Sequence, residues 1–371
     1  MFRTALAAVA AVGTIAVAGS TAPADAQALK GKTIELIVPA GAGGGLTRNA
    51  RRFAQFFGDY IPGNPKVIVK NIVGGGGQRG INFVYERGNK DGTTLLWGPL
   101  NFSGIVSGLR GIKYDPAKFS VVGTTGGVPF VTIASSALGN GIKSRDDLMA
   151  QPKFNAGGRI PGGALDVYTV MGFGLLGKAT THITGYRNQP KLKAALMRKE
   201  IVAATTGAPG YYAFYKNDLL KKGTAHALYY HPAIGADGKF IPAPDLDKSG
   251  VPTLAAFYKK VKGADPSGDK WEAYRWYATY NGWSNWVVGP PGLSAQVVAD
   301  LRKGYADTWN DARVIDGFVK AWGMRGTTLV GDDTGFITKN YKKISPAALA
   351  YLKQVLGTSD AKAKPEPKKK K

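Results

Sequence analysis

The run Ile34-Glu35-Leu36-Ile37-Val38 ends in Pro39 and a turn, residues 40–45, built only from alanine and glycine. Beyond the turn, Ala50, Phe53, Ala54 and Phe57 recur at helical spacing. A chain written this way forms a strand, a bare loop and a helix whose first amides face the loop. Such a helix end carries roughly half a positive charge and several unpaired N–H donors, which suits an anion. Glycine lets a ligand reach the backbone because no Cβ stands in the way. A tight βα turn without a ligand satisfies the same pattern.

Residues 1–26 have the form of an export signal. Arg3 is a minimal basic start, Ala5 to Ala18 form a short apolar stretch, and Ala24-Asp25-Ala26 supplies a small-x-small cleavage pattern. No later run reaches the roughly 18 apolar residues that a membrane span needs. The expectation is an exported chain cut near Ala26. The chain contains no cysteine, which excludes thiolate nucleophiles and cysteine-ligated metal centres. Neither a cofactor nor a metal is expected. The mature length exceeds what one core usually serves, so two lobes are expected. The formal net charge is +24. The final residues 358–371 hold six lysines and should be a disordered tail, leaving most of the charge on the body. That charge draws acidic partners. No nucleic-acid motif accompanies it, and small anionic solutes or an anionic membrane surface fit better.

Strand-like and helix-like runs alternate along the chain. Val67-Ile68-Val69, Thr93 to Trp97, Val121-Val122, Phe130 to Ile133, Ile201 to Ala204, Ala227 to Tyr230 and Trp286-Val287-Val288 read as strands. This order predicts an α/β fold with a mostly parallel sheet covered by helices. Ser345, Pro346 and Gly357 read as cap, first turn and stop of a last helix, with Leu349, Leu352 and Leu356 on one face. Residues 232–270 read as an irregular connection.

Three glycine-rich loops, 41–45, 74–80 and 157–163, each follow an expected strand. Ligands of open α/β sheets gather at such strand ends. Gly75-Gly76-Gly77-Gln78-Arg79-Gly80 matches the dinucleotide pattern G-x-G-x-x-G, but the acid required about twenty residues on is missing. There is no P-loop. His182, His226 and His231 are the only histidines, and no nucleophile elbow or zinc pair accompanies them.

An ordered set of motifs between residues 31 and 357 resembles the periplasmic solute receptors of tripartite tricarboxylate transporters, the Bug family. The first loop is similar to that family's strand-Pro-Phe-x-x-Gly-Gly-x-x-Asp-x-x-Ala-Arg signature, here Val38 to Arg51. Val69 to Gly77, Lys90 to Gly98, Tyr114-Asp115-Pro116 and Val287 to Gly292 resemble four further motifs in order. The resemblance implies a two-lobe Venus-flytrap fold with an interlobe ligand cleft, residues 31–125 plus 283–357 forming one lobe and 126–282 the other. The first βα loop would take a carboxylate through backbone amides.

Gly43, Gly44, Gly45, Leu46 and Thr47 are therefore candidate ligand residues, with Gly76, Gly77, Gln78 and Asn101 in the first lobe. Gly158, Arg159, Gly163, Tyr186, Arg187 and Thr206 are candidates in the second. Thr47 stands where the family has aspartate, which fits an acid without an amino group. Arg159 and Arg187 lie beside altered second-lobe loops and suit the distal end of a dicarboxylate, or solvent. Trp97, Tyr186, Trp283 and Trp286 read as core, or as stacking partners for an aromatic acid. The resulting expectation is a monomeric, non-catalytic periplasmic receptor that binds a small organic mono- or dicarboxylate and serves membrane permease subunits. No nucleic-acid partner is expected. The alternatives are an exported hydrolase or lyase acting on a small organic acid, and a binder of polyanions or membrane surfaces.

Overall fold

The computed structural model of the protein describes residues 28–136, 147–151, 153–186 and 188–360, apart from the side chains at 148 and 358–360. The expected export signal, the tail beyond 360 and Arg187 lie outside the described residues. The strands are β1 Thr33–Val38, β2 Lys66–Asn71, β3 Thr94–Gly98, β4 Ser120–Gly126, β5 Phe130–Ser135, β6 Phe154–Gly157, β7 Thr180–Ile183, β8 Ala203–Gly207, β9 Ala225–His231, β10 Trp283–Gly289 and β11 Thr327–Val330. They form two sheets, ordered β11-β4-β10-β3-β1-β2 and β7-β6-β8-β5-β9. The architecture is a two-lobe α/β fold.

Alternation of side chains along each strand builds a core on both faces of each sheet. In the first sheet Leu36, Val38, Leu95 and Trp97 pack with Phe53, Tyr305 and Trp309 on one face. Ile37 and Leu96 turn to the other face and meet Ile81 and Phe102. In the second sheet Val131 and Ile133 pack against Leu192 and Tyr215. Ala134 faces the other way, into the same cluster as Phe102 and Tyr168. That inner cluster is continuous from sheet to sheet. Its centre is the helix Asp269–Asn281, which buries Ala273, Tyr274, Trp276, Tyr277 and Tyr280.

The sheets are mixed, not mostly parallel. β1 pairs in parallel with β2 and β3, and β6 with β7 and β8, whereas β10, β4 and β11 pair antiparallel, as does β5 with β8 and β9. Two of the antiparallel strands, β4 and β10, carry the chain between lobes. β4 leads out through Gly127 and β10 returns after the central helix. The two crossings are stitched together: the Gly127 amide donates to Gly282 O at 3.0 Å. A Cβ at Gly126 would lie 2.5 Å from the same carbonyl, so this approach requires glycine.

β7 and β11 went unseen in the sequence because both are short, half-exposed edge strands with no apolar run. Residues 232–270 are more ordered than their composition suggests. They contain the helix Leu254–Lys262, capped by Thr253 and stopped by Gly263 in the left-handed region. The last helix begins as read, with Ser345 Oγ accepting from the Ala348 amide at 3.2 Å. It runs through Gly357 to Asp360, however, and packs on the helices Ala164–Leu175 and Asp269–Asn281. Among the described residues no helix is long and apolar enough to cross a membrane.

His231 lies wholly buried in the inner cluster, with Nε2 3.0 Å from Thr132 Oγ1 and Nδ1 3.3 Å from Tyr274 Oη. Burial pulls its pKa down to about 3. The unfolded chain takes up that proton near pH 6.5, so the contribution is complete above about pH 6.5 and is lost as pH falls toward 3. Urea unfolding of the wild type should weaken through this window with a slope of up to about 1.4 kcal/mol per pH unit from this group. His231→Phe should flatten that slope, and an unchanged slope would contradict the assignment.

Candidate functional site

β1, β2 and β3 end side by side, and each runs straight into a loop and a helix: Gly45–Phe57, Gln78–Arg87 and Phe102–Ser107. Pro39, the first residue after β1, is the hub. A Cβ at Gly98 would lie 2.9 Å from its ring, and one at Gly77 would lie 3.1 Å from its carbonyl. Gly74, Gly75, Gly76 and Gly77 have φ of +130°, +56°, +64° and +99°. Four successive residues in that region demand glycine.

The first loop is fastened from behind. Thr47 is fully buried; its Oγ1 donates to Gly41 O at 2.9 Å and accepts from Asn71 Nδ2 at 2.8 Å. Asn71 Nδ2 also donates to Ala40 O at 2.7 Å. Arg48 and Arg51 close over the loop through Nη1 to Gly43 O at 2.8 Å and to Ala42 O at 3.1 Å. These contacts consume carbonyls and leave amides. The N–H groups of Gly45, Leu46 and Thr47 have no partner among the described residues.

Three helix starts at this end share an omission, while Phe102–Ser107 is capped by the Asn101 side chain. Gly44, Gly77 and Gly163 are the N-caps of Gly45–Phe57, Gln78–Arg87 and Ala164–Leu175, and none supplies a side-chain cap. Away from the site, Thr253, Ser294 and Asp311 cap their helices through side-chain oxygens. An uncapped helix end that is not freely solvated needs another acceptor.

A cavity of about 320 Å³ lies between these ends. Its first-lobe wall includes Leu46, Gly76, Gly77, Gln78, Leu100 and Asn101. Phe130, Gly162 and Ala164 come from the second lobe, and Tyr277, Asn281, Trp283 and Ser284 from the central helix and the returning strand. No lysine, arginine, histidine or carboxylate lines it. Two buried wall atoms, Gln78 Oε1 and Trp283 Nε1, have no hydrogen-bond partner among the described residues. Leaving each unmade costs roughly 1–3 kcal/mol. Asn101 is partly committed: its Oδ1 accepts from the Gly104 amide at 2.8 Å and from Ser103 Oγ at 3.2 Å.

The second-lobe loop is built differently. Asp166, wholly buried, takes the amides of Arg159 and Ile160 on Oδ2 at 2.8 and 3.2 Å. Its Oδ1 accepts from Thr184 Oγ1 at 2.5 Å. That loop carries its own carboxylate and has no room for a second one at Gly158, where a Cβ would lie 2.0 Å from Asp166 Oδ1.

The sequence candidates therefore divide. Leu46, Gly76, Gly77, Gln78 and Asn101 line the cavity; Gly44, Gly45 and Gly163 are at the helix starts around it, and Gly43 is in the exposed first loop. The Thr47 hydroxyl is spent on the loop, bonded to Gly41 O and Asn71. Gly158 packs on Asp166. Arg159 is half-buried off the cavity wall beside Tyr215 and Asp166, and burial lowers its pKa. Tyr186 donates to Glu200 Oε2 at 3.2 Å, and burial, then that carboxylate, pushes its pKa up to about 12. Thr206 is buried and donates to Gly207 O at 3.3 Å. Trp97 and Trp286 are core, while Trp283 is both buried and on the wall. Tyr277, Asn281 and Ser284 escaped notice because the stretch around them reads as a plain aromatic helix and turn. The described residues hold no group of three or more His, Asp or Glu side chains able to bind a metal ion.

Solved structures share this architecture. A TctC solute-binding protein from Polaromonas superposes with a TM-score of 0.62 at 20% identity, covering 88% of this chain and 98% of its own. The fold is that of periplasmic binding proteins. BugD, a periplasmic binding protein, matches with a TM-score of 0.55 at 20% identity over 89% of this chain and 96% of its own. R. palustris Rpa4515 with adipate gives 0.57 at 19% identity over 89% and 98%. No protein-family model matches the sequence, and no curated protein matches it significantly.

Thr47→Val tests the fastening of the first loop. It leaves one Asn71 N–H unpaired and Gly41 O with only the Gly44 amide, at 3.0 Å, and urea unfolding should show a loss of about 1–2 kcal/mol. Unchanged stability would contradict the fastening role.

Proposed function

We propose that the chain is a non-catalytic receptor, exported to the periplasm, that captures a small organic carboxylate for the permease of a tripartite tricarboxylate-type transporter. Residues 31–125 with 283–357 and residues 126–282 would close on the ligand as a monomer. The observation that carries this reading is the meeting of uncapped, glycine-started helices at a cavity with no charged side chain. Amides of Gly45, Leu46 and Thr47 supply donors for one carboxylate, and the helix dipole favours its charge.

The rest of the cavity narrows the ligand. The second-lobe nest is filled by Asp166, and Arg159 is off the wall, so a second carboxylate has no cationic partner there. Phe130, Tyr277 and Trp283 favour an apolar or aromatic body, while Gln78 Oε1 and Trp283 Nε1 suit a neutral polar group. A monocarboxylate fits this wall better than the dicarboxylates adipate and malate held by two of the similar structures. Ser103 and Ser284 have no histidine, lysine or carboxylate beside them on the wall, which supports binding over turnover. Closure follows only to the extent that the ligand prefers the closed form.

Gly44→Asp separates function from folding. Gly44 has extended backbone (φ −75°, ψ 160°) that aspartate adopts, and its carboxylate would cap the Leu46 and Thr47 amides itself. The variant should gain up to about 0.5 kcal/mol in stability. Calorimetry against aliphatic and aromatic mono- and dicarboxylates should show wild-type binding, with at least about tenfold loss in the variant. Equal affinity in both, or no binding across the panel, would overturn the reading.

A further inference from the structure

A second cavity, of about 250 Å³, shares no lining residue with the first. It lies where the Ala164–Leu175 helix, β7, the central helix and the last helix meet, and its wall includes Lys178, His182, Lys270 and Tyr351. The His182 side chain is 2% exposed. Its Nε2 is 2.9 Å from Asp166 Oδ1, and only an N–H on Nε2 makes that a hydrogen bond to a carboxylate. Nδ1 is buried with no partner among the described residues.

The surroundings are cationic. Lys178 Nζ donates to Gln151 O at 2.7 Å and has further N–H groups to give. Lys270 Nζ stands 5.6 Å from the centre of the Tyr351 ring. The Tyr351 hydroxyl, pushed by burial up to about 12, stays neutral. No aspartate or glutamate lines the pocket; Asp166 reaches it only through His182.

We propose that this pocket binds a small inorganic oxyanion, of the phosphate or sulfate type, through Lys178, Lys270 and Nδ1–H of a protonated His182. A tetrahedral anion offers acceptors to several donors at once and pairs the orphaned nitrogen. With Nε2–H committed to Asp166, a proton on Nδ1 makes the ring cationic. Asp166 also holds the Arg159 and Ile160 amides, so the anion pocket is linked through two side chains to the loop that carries Gly162 and Ala164 into the first cavity. This inference stands independently of the identity of the cleft ligand.

Calorimetry with sodium sulfate tests it, with sodium chloride as control. The wild type should bind one sulfate. Lys270→Gln changes an exposed residue and should weaken binding about fivefold. Gly44→Asp beside the first cavity should leave sulfate binding intact. Long-range proton–nitrogen spectra should show both His182 ring nitrogens protonated when sulfate is bound. Absence of binding, indifference to Lys270→Gln, loss in Gly44→Asp or an unprotonated Nδ1 in the complex would each overturn the proposal.

Discussion

The two lobes meet because one helix belongs to both. Asp269–Asn281 drives Tyr280 against Phe102 of the first lobe, ring centres 5.7 Å apart, and Tyr277 against Tyr168 of the second at 5.1 Å. Phe102 in turn touches Trp286 at 6.0 Å, and Tyr168 touches Phe130 at 4.7 Å. Each buried aromatic of this kind contributes roughly 1.5–3 kcal/mol of transfer free energy. The seam holds the strand ends of both sheets toward one cavity and supplies part of its wall. Remove it, and the glycine loops become two unrelated turns.

Within that frame the two lobes treat their loop amides in opposite ways. The second lobe satisfies its loop amides internally with Asp166, as a folded protein ordinarily does with buried donors. The first lobe does the reverse: it binds the carbonyls of residues 41–43 with Thr47, Arg48 and Arg51 and leaves the amides bare. The arginines add positive potential without entering the cavity. On the proposed reading, such a site would hold a carboxylate by fixed dipoles, with no side chain to reorganise.

Much of this was legible from residue order alone. The strand–glycine–helix run fixed β1, its loop and its helix because apolar alternation, proline and glycine all agree there. Gly74 to Gly77 had the same clarity, since only glycine occupies four such positions. Edge strands β7 and β11 were invisible because half-exposed polar strands have no period to read. The places of Thr47 and Arg159 were hidden for a related reason. A residue in a ligand loop has the same sequence signature whether it faces the ligand or braces the loop. Contacts such as Thr47 to Asn71 span 24 positions and appear only after folding. The part played by Tyr277 and Trp283 depends on where the central helix lands, which no local pattern encodes.

The central claim is that a carboxylate sits on bare amides between the lobes. The crystal structure of the protein purified from its native host, with the captured solute in place, tests that directly. The account predicts a single carboxylate with its oxygens within hydrogen-bond distance of the amides among Gly45, Leu46 and Thr47, and its body against Tyr277 and Trp283. A solute held instead by Arg159, or one lying outside the interlobe cavity, would contradict it.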